Sequence, residues 1–209
     1  MNSAVIRRVV KVGGSLLLRP DLPQDLNAWL ANQTPAQTLV IVGGGQLIDA
    51  IRKLDAVRHT DTVSVHWRCV ESLRTTFEFF ADWFPHWPTI RNAAEYTAAL
   101  DRGFACDYPT LIAVSAFYRP QQEFDLPTDW RTTTDAIATV LAVECSADEL
   151  VLLKSCEVDS SLSLEQLAAA GIVDEAMAPM AQRIDSIRVE PLGSSRKQMS
   201  CCQPGITEF

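Results

Sequence analysis

Residues 6–12 form a valine-rich run that stops at Gly13-Gly14, and residues 38–42 form a continuous apolar run that stops at Gly43-Gly44-Gly45. Runs of this kind read as strands covered on both faces, since a strand with one wet face alternates apolar and polar. Apolar residues at helical spacing follow each run: Leu22, Leu26, Trp29 and Leu30 after the first, and Leu47, Ile48, Ile51 and Leu54 after the second. Strand, glycine turn and helix thus occur twice in succession. This predicts an α/β fold, a three-layer αβα sandwich around a mainly parallel central sheet.

The pattern continues along the chain. A long helix is predicted over 61–83, with Val65, Val70, Leu73, Phe77 and Phe80 spread around it, ended by the proline-rich stretch 84–88. A short helix follows over 92–102, a third strand over 111–114, a loop over 120–130, a helix over 133–145 and a strand over 150–154. Short helices over 163–170 and 174–182 and a last strand over 187–190 complete the domain, taken as residues 1–192. Residues 193–209 are polar, with Ser, Lys, Gln, Pro and Gly, and read as a flexible tail.

The 209 residues carry 47% hydrophobic positions, enough for one substantial core. The net charge of -8 argues against bulk attraction to nucleic acid or to an anionic membrane, so any anion site must be built locally from lysines and backbone N–H groups. No apolar stretch is long enough to predict a transmembrane helix, and the first residues lack a signal-peptide pattern. None of the 6 cysteines forms a CxxC pair, which fits reduced thiols and a cytoplasmic protein.

Lys11 is the first candidate for chemistry. A charged ammonium near the carboxyl end of a strand covered on both faces is costly unless paired, and that end is where parallel sheets bind ligands. Gly13, Gly14 and Ser15 follow it, and glycines let backbone N–H groups approach phosphate oxygens. Gly43, Gly44 and Gly45 repeat the arrangement after the second strand. The structural alternatives are a solvated strand-end lysine and tight turns packed against a neighbour. Neither glycine cluster has P-loop or dinucleotide-fingerprint spacing. Thr132-Thr133-Thr134-Asp135 opens a helix, either simply as a cap or to place a carboxylate beside Lys11, or near Mg²⁺ through water. Lys154 ends its strand as Lys11 does, so two lysines with one bridging aspartate suit phosphoryl transfer, where positioning and charge stabilisation dominate. His66, alone on the long helix, is of a kind more often packed or at the surface than a ligand. No residue set with metal-ligand spacing appears.

The ordered set Lys11-Val12-Gly13-Gly14-Ser15, Gly43-Gly44-Gly45 and Thr133-Thr134-Asp135-Ala136-Ile137-Ala138 resembles the amino-acid-kinase family over roughly residues 5–190. The resemblance implies an ATP-dependent small-molecule kinase, using ATP and Mg²⁺, that acts on a small acidic acceptor, a carboxylate or a phosphate monoester. It implies a homo-oligomer, with neither nucleic acid nor membrane as partner. By position, Lys11 and Asp135 would be catalytic, with Lys11 stabilising the transferred group and Asp135 organising the lysines. Gly13, Gly14, Ser15, Lys154 and Asp159 would border the nucleotide. Gly43, Gly44, Gly45, His66, Thr133 and Thr134 would face the acceptor. Within the family, His66, Asp129-Trp130 and the run Gly171-Ile172-Val173-Asp174-Glu175 look most like the branch that phosphorylates an aminomethyl-furanmethanol phosphate in methanofuran biosynthesis. The chain departs from the family pattern at Ser160-Ser161, where a glycine is usual after Val-Asp, and in a short C-terminal nucleotide lobe with no clear second late lysine. These departures support an alternative, a phosphate-binding or assembly subunit with a degenerate ATP lobe.

Overall fold

A computed structural model describes residues 5–193. Six strands form one sheet in the order β3-β4-β2-β1-β5-β6, and every neighbouring pair is parallel. The strands are β1 (Arg7–Val12), β2 (Gln37–Val42), β3 (Thr89–Ile90), β4 (Thr110–Ile112), β5 (Glu149–Lys154) and β6 (Ser186–Pro191). The helices are α1 (Leu22–Ala31), α2 (Gln46–Val57), α3 (Thr62–Trp83), α4 (Ala93–Arg102), α5 (Val114–Phe117), α6 (Thr134–Glu144), α7 (Leu164–Ala169) and α8 (Ala178–Ala181). The α/β sandwich expected from the alternation is the observed fold.

Strand alternation sends side chains to two cores. Val9, Leu39, Ile41, Leu150 and Leu152 join α6 on one face, while Val10, Val12, Val40, Val42, Val151 and Leu153 join α1 on the other. The long helix α3 serves both, with Val70 and Leu73 in the first core and Phe77 and Phe80 in the second. Helix α6 is buried without interruption from Thr134 to Ala142, and the run Ala136-Ile137-Ala138 is narrow enough to lie close over β1 and β5. Local signals set the ends. Asp61 caps α3 by accepting from Ser64 N at 2.9 Å, and Asn92 caps α4 by accepting from Glu95 N at 3.0 Å. Ser163 and Gln166 form a reciprocal capping box on α7.

Several elements differ from expectation. A 3-10 turn, Gly14–Leu18, begins inside the first glycine pair and buries Leu16; its five residues are too few for a period to register. Strand β3 is two residues long and equally invisible to periodicity. The run 111–114 divides, with Thr110–Ile112 as strand and Val114 opening the single turn α5. The helix expected over 174–182 is a 3-10 turn, Glu175–Met177, followed by the one-turn α8 with Pro179 in its first positions. Asp174, its natural cap, is engaged elsewhere. The aromatic stretch 77–87, a candidate contact surface in the assembly reading, is largely core: Phe77, Phe80, Phe84 and Trp87 are buried, and Phe79 and Trp83 reach solvent. Cys201 and Cys202 lie outside the described residues, as does all of the expected tail but Gly193.

The strand order reverses beside β1. From β1 the chain fills one side with β2, β4 and β3, β4 lying inside β3, and then the other side with β5 and β6, so the switch point falls between β1 and β5. Open parallel sheets bind ligands beyond the carboxyl ends of the strands at such a point.

Candidate active site

Lys11 pairs with Leu152 across the β1–β5 ladder, so its side chain and that of Lys154, two residues further along β5, leave the sheet on the same face. Helix α6 covers that face and delivers Asp135 from its first turn. Lys11 Nζ lies 2.8 Å from Asp135 Oδ1, and Lys154 Nζ lies 2.5 Å from Asp135 Oδ2. Asp135 is only 3% exposed and Lys11 5%. Three residues separated by up to 143 positions thus meet as one buried ion triad. The Lys11 ammonium lies off the hydrogen-bonding direction of Oδ1, which accepts no aligned hydrogen bond among the described residues.

Burial opposes the charge on Asp135. The adjacent ammonium groups, Lys11 ahead of Lys154, outweigh it and hold the carboxyl below its ordinary value of 3.8. Burial lowers the Lys154 pKa, as does repulsion from Lys11, with Asp135 opposing both. Within the triad one carboxylate faces two ammonium groups, and the excess positive charge, offset in part by the nearby Asp174, favours an anionic group beside it.

The glycine turns close over this end of the sheet. A Cβ on Gly14 would lie 2.1 Å from Gly45 N, and one on Gly45 would lie 2.3 Å from Gly14 O; Gly45 also has φ 53°. The two turns therefore press against each other. This contact accounts for the missing side chains at Gly14 and Gly45 without appeal to a ligand. Gly13 N donates to Leu153 O at 2.9 Å, joining the first turn to β5, and the Ser15 and Ser155 hydroxyls meet at 2.7 Å. Gly43 would place a Cβ 3.1 Å from Thr134 Oγ1, so the second turn abuts the start of α6.

That start is capped by a residue whose role the sequence pattern hides. Asp174 accepts from Thr133 N at 2.8 Å, from Ala136 N at 3.1 Å and from the Thr133 hydroxyl. Its carboxylate therefore sits on the positive end of α6, next to Asp135. Burial raises its pKa, and so does the charge of Asp135, against the hydrogen bonds from Thr133 and Ala136. In sequence, Asp174-Glu175 looks like the start of its own helix. Nothing local reveals a cap reaching across 38 residues.

Against the start of α6 lies a cavity of about 100 Å³, partly open to solvent. Gly44, Thr133 and Thr134 line it, together with His66 from α3, Arg52 from α2 and Trp130 from the loop before α6. His66 is fully engaged: Nε2 lies 3.0 Å from the Tyr118 hydroxyl, and Nδ1 lies 3.3 Å from the Asp129 carbonyl. Burial lowers its pKa, with the Asp129 contact opposing. It shapes the cavity wall. Asp159 stays apart from the triad; it is exposed and accepts from Ser161 N and Oγ at 2.9 and 2.7 Å, making a tight turn from Ser160-Ser161. With Val158 and β6 it borders a second cavity of about 260 Å³.

A single parallel sheet with its switch point at β1 and β5, flanked by helices on both faces, is the amino-acid-kinase-like fold, and solved structures carry it. The UMP kinase from Ureaplasma parvum superposes with a TM-score of 0.61 at 13% identity, covering 90% of each chain. The uridylate kinase from Archaeoglobus fulgidus gives 0.59 at 17%, covering 88% of this chain and 91% of that one. The aspartate kinase from Synechocystis gives 0.61 at 14%, covering 90% of this chain and 39% of that longer one. At these identities the likeness is one of fold. No protein-family model matches the sequence, and no curated protein is significantly similar to it. No helix among the described residues is long and apolar enough to cross a membrane.

Proposed function

We propose that the protein is an ATP-dependent small-molecule kinase that transfers the γ-phosphate to a carboxylate or phosphate-monoester acceptor. The observation that carries this reading is the buried Lys11–Asp135–Lys154 triad at the switch point of the sheet. Its excess positive charge is where a transferring phosphoryl group would gain most. The bond from Pγ to the β,γ-bridging oxygen breaks as an acceptor oxygen bonds Pγ, and ADP leaves with the bridging oxygen's negative charge. Lys11 and Lys154 offset charge on the phosphoryl oxygens, and Asp135 fixes both ammonium groups. Gly13, Gly14 and Ser15 border the phosphates in this reading, and the cavity by Asp159 takes the nucleoside. Mg²⁺, if bound, would be held by the nucleotide phosphates and would offset their charge; among the described residues no group of three or more His, Cys, Asp or Glu able to hold a metal occurs. Gly43, Gly44, Gly45, Thr133, Thr134 and His66 frame the acceptor. The kinases of like fold support the reaction class. The first acceptor to try is an aminomethyl-furanmethanol phosphate, from the sequence resemblance.

A second reading, a phosphate-binding subunit without turnover, draws on the Ser160-Ser161 turn beside the nucleoside cavity and on Asp174, which brings a second carboxylate next to the triad. Calorimetric titration of a non-hydrolysable Mg·ATP analogue into wild type and Lys11→Ala separates the two. Lys154 still pairs Asp135 in the variant, and circular dichroism of Lys11→Ala checks that it is folded. Saturable binding weakened at least 10-fold in Lys11→Ala, with transfer abolished, is expected. Equal binding by both proteins, or a fully active variant, would sink the kinase reading. Binding of inorganic phosphate without nucleotide would establish the second.

A further inference from the structure

The sheet ends differently on its two sides. β3 closes one side with 2 residues, whereas β6 closes the other with 6, and among the described residues no strand pairs the outer edge of β6. Unpaired N–H and C=O groups along such an edge are a template for another strand. Their direction is fixed here. Leu192 N donates to Lys154 O at 2.8 Å, so by the two-residue period Glu190 and Arg188 also turn their backbone groups toward β5. Ile187, Val189 and Pro191 turn theirs outward, and Pro191 has no N–H to offer. Side chains alternate as well. Ile187 and Val189 pack on the α6 side of the sheet. Arg188 and Glu190 lie on the α1 side, where Arg188 donates to Gln33 at 2.9 Å and Glu190 accepts from Trp29 Nε1 at 2.9 Å. Arg188 also pairs with Glu190 and, at 2.7 Å, with Glu149, and the side chains of Arg188 and Glu190 are both partly exposed.

We propose that the outer edge of β6 binds a second copy of this chain, the two β6 strands running antiparallel about a two-fold axis at Val189. An axis normal to the sheet makes two copies of one edge antiparallel and sets one residue opposite its own counterpart. With Val189 on the axis, the two Val189 residues exchange both backbone hydrogen bonds, and each Ile187 N–H meets the partner's Pro191 carbonyl. On the α1 side each Arg188 faces the partner's Glu190, and on the α6 side the facing residues are apolar. Opposite charges directly across a strand pair stabilise it, and like charges oppose it. Moving the axis one residue either way would set Arg188 against Arg188 or Glu190 against Glu190. Moving it two residues would leave neither charge facing its opposite. Charge and backbone direction therefore select the same register. The cavity that Asp159 borders is lined in part by this strand, so the second copy stands beside it. Lys11, Asp135 and Lys154 all belong to one chain, so the inference does not rest on the kinase reading.

Equilibrium sedimentation of the full chain over a range of concentrations, without nucleotide, reads the association, and amide hydrogen exchange resolved by residue locates it. A monomer–dimer equilibrium is expected. The Ile187 and Val189 amides should exchange roughly 10-fold more slowly or better once the dimer is populated, because their N–H groups then have acceptors. Glu190→Lys sets like charges across the axis and should weaken the dimer about 10-fold or more, and Arg188→Glu should do the same. Combining Arg188→Glu with Glu190→Lys restores opposite charges in the same register and should recover association. Arg188 also holds Glu149, so circular dichroism checks that each variant is folded. The exchange measurement on the wild type needs no variant. A monomer at every concentration would overturn the proposal; slow exchange of Val189 in that monomer would mean that the edge is closed within one chain. A dimer that Glu190→Lys leaves intact, with Ile187 and Val189 exchanging freely, would place the contact on another surface and overturn it too. Neither result touches the Mg·ATP titration of Lys11→Ala, which tests the kinase reading separately.

Discussion

A carboxylate that caps its own helix is usually exposed at the surface. Asp174 instead caps a helix from another part of the chain, half-buried beside a second carboxylate; burial and that neighbouring charge raise its pKa above 3.8 against the hydrogen bonds of the cap. A carboxyl raised in the folded state stabilises the fold most below its unfolded value, and that contribution is lost as pH rises through the folded value. Asp174→Asn, which keeps an acceptor oxygen but not the charge, should therefore gain on the wild type as pH rises from about 4 towards neutral. Urea unfolding of both proteins across that range checks the sign; a difference independent of pH would mean that Asp174 does not titrate there. Asp135 has the opposite linkage. Its depressed pKa supplies stability above 3.8 that is lost as pH falls through the folded value. Lys11 and Lys154 were legible in sequence because a charged residue in or ending a run of buried valines and leucines stands out against its neighbours. Asp174 was not, because it looks ordinary in its own turn, and its significance is a contact across the fold.

At the scale of elements, the two glycine turns behave as one piece. Each was legible as a strand-to-helix turn, but their mutual contact was not, since nothing in 13–14 or 43–45 states that Gly14 lies against Gly45. Gly45→Ala combines a positive φ with a Cβ 2.3 Å from Gly14 O. It should cost about 1–3 kcal/mol in chemical denaturation, and should impair phosphate-group binding more than Gly171→Ala, where a Cβ meets nothing within 4 Å although φ is also positive. Equal losses at both positions would mean that backbone strain alone matters and the turn-to-turn contact does not. The elements that sequence reading missed, β3, the 3-10 turn at Gly14–Leu18 and the single turn α5, are all short. Two to five residues complete no hydrophobic period, so only tertiary contacts define them.

For the whole molecule, the layer order and the parallel sheet followed from repeated alternation of buried strands and amphipathic helices. The strand order did not, because periodicity says which segments are strands and not which are neighbours. A net charge of -8 also means that a phosphate ligand is drawn in only by the local field of the triad. The kinase reading then predicts that a saturating Mg·ATP analogue, at roughly 100 times its dissociation constant, adds about 2.7 kcal/mol to stability. For a chain of this size that is a rise of about 5–10 °C in Tm by scanning calorimetry. Lys11→Ala should show little of it at the same concentration. A rise of equal size in both proteins would place the nucleotide away from the triad.

The central position of β1 bears on how the protein is made. β1 is the first of the six strands to be synthesised, yet one of its two neighbours, β5, lies about 140 residues further on. Until that segment emerges, one edge of a valine-rich strand stands unpaired, the kind of edge on which nascent chains associate wrongly. Lys11 also waits for its counter-ion through that interval. The triad can form only when the two halves of the sheet meet, so completion of the site doubles as a report that β1 and β5 have paired.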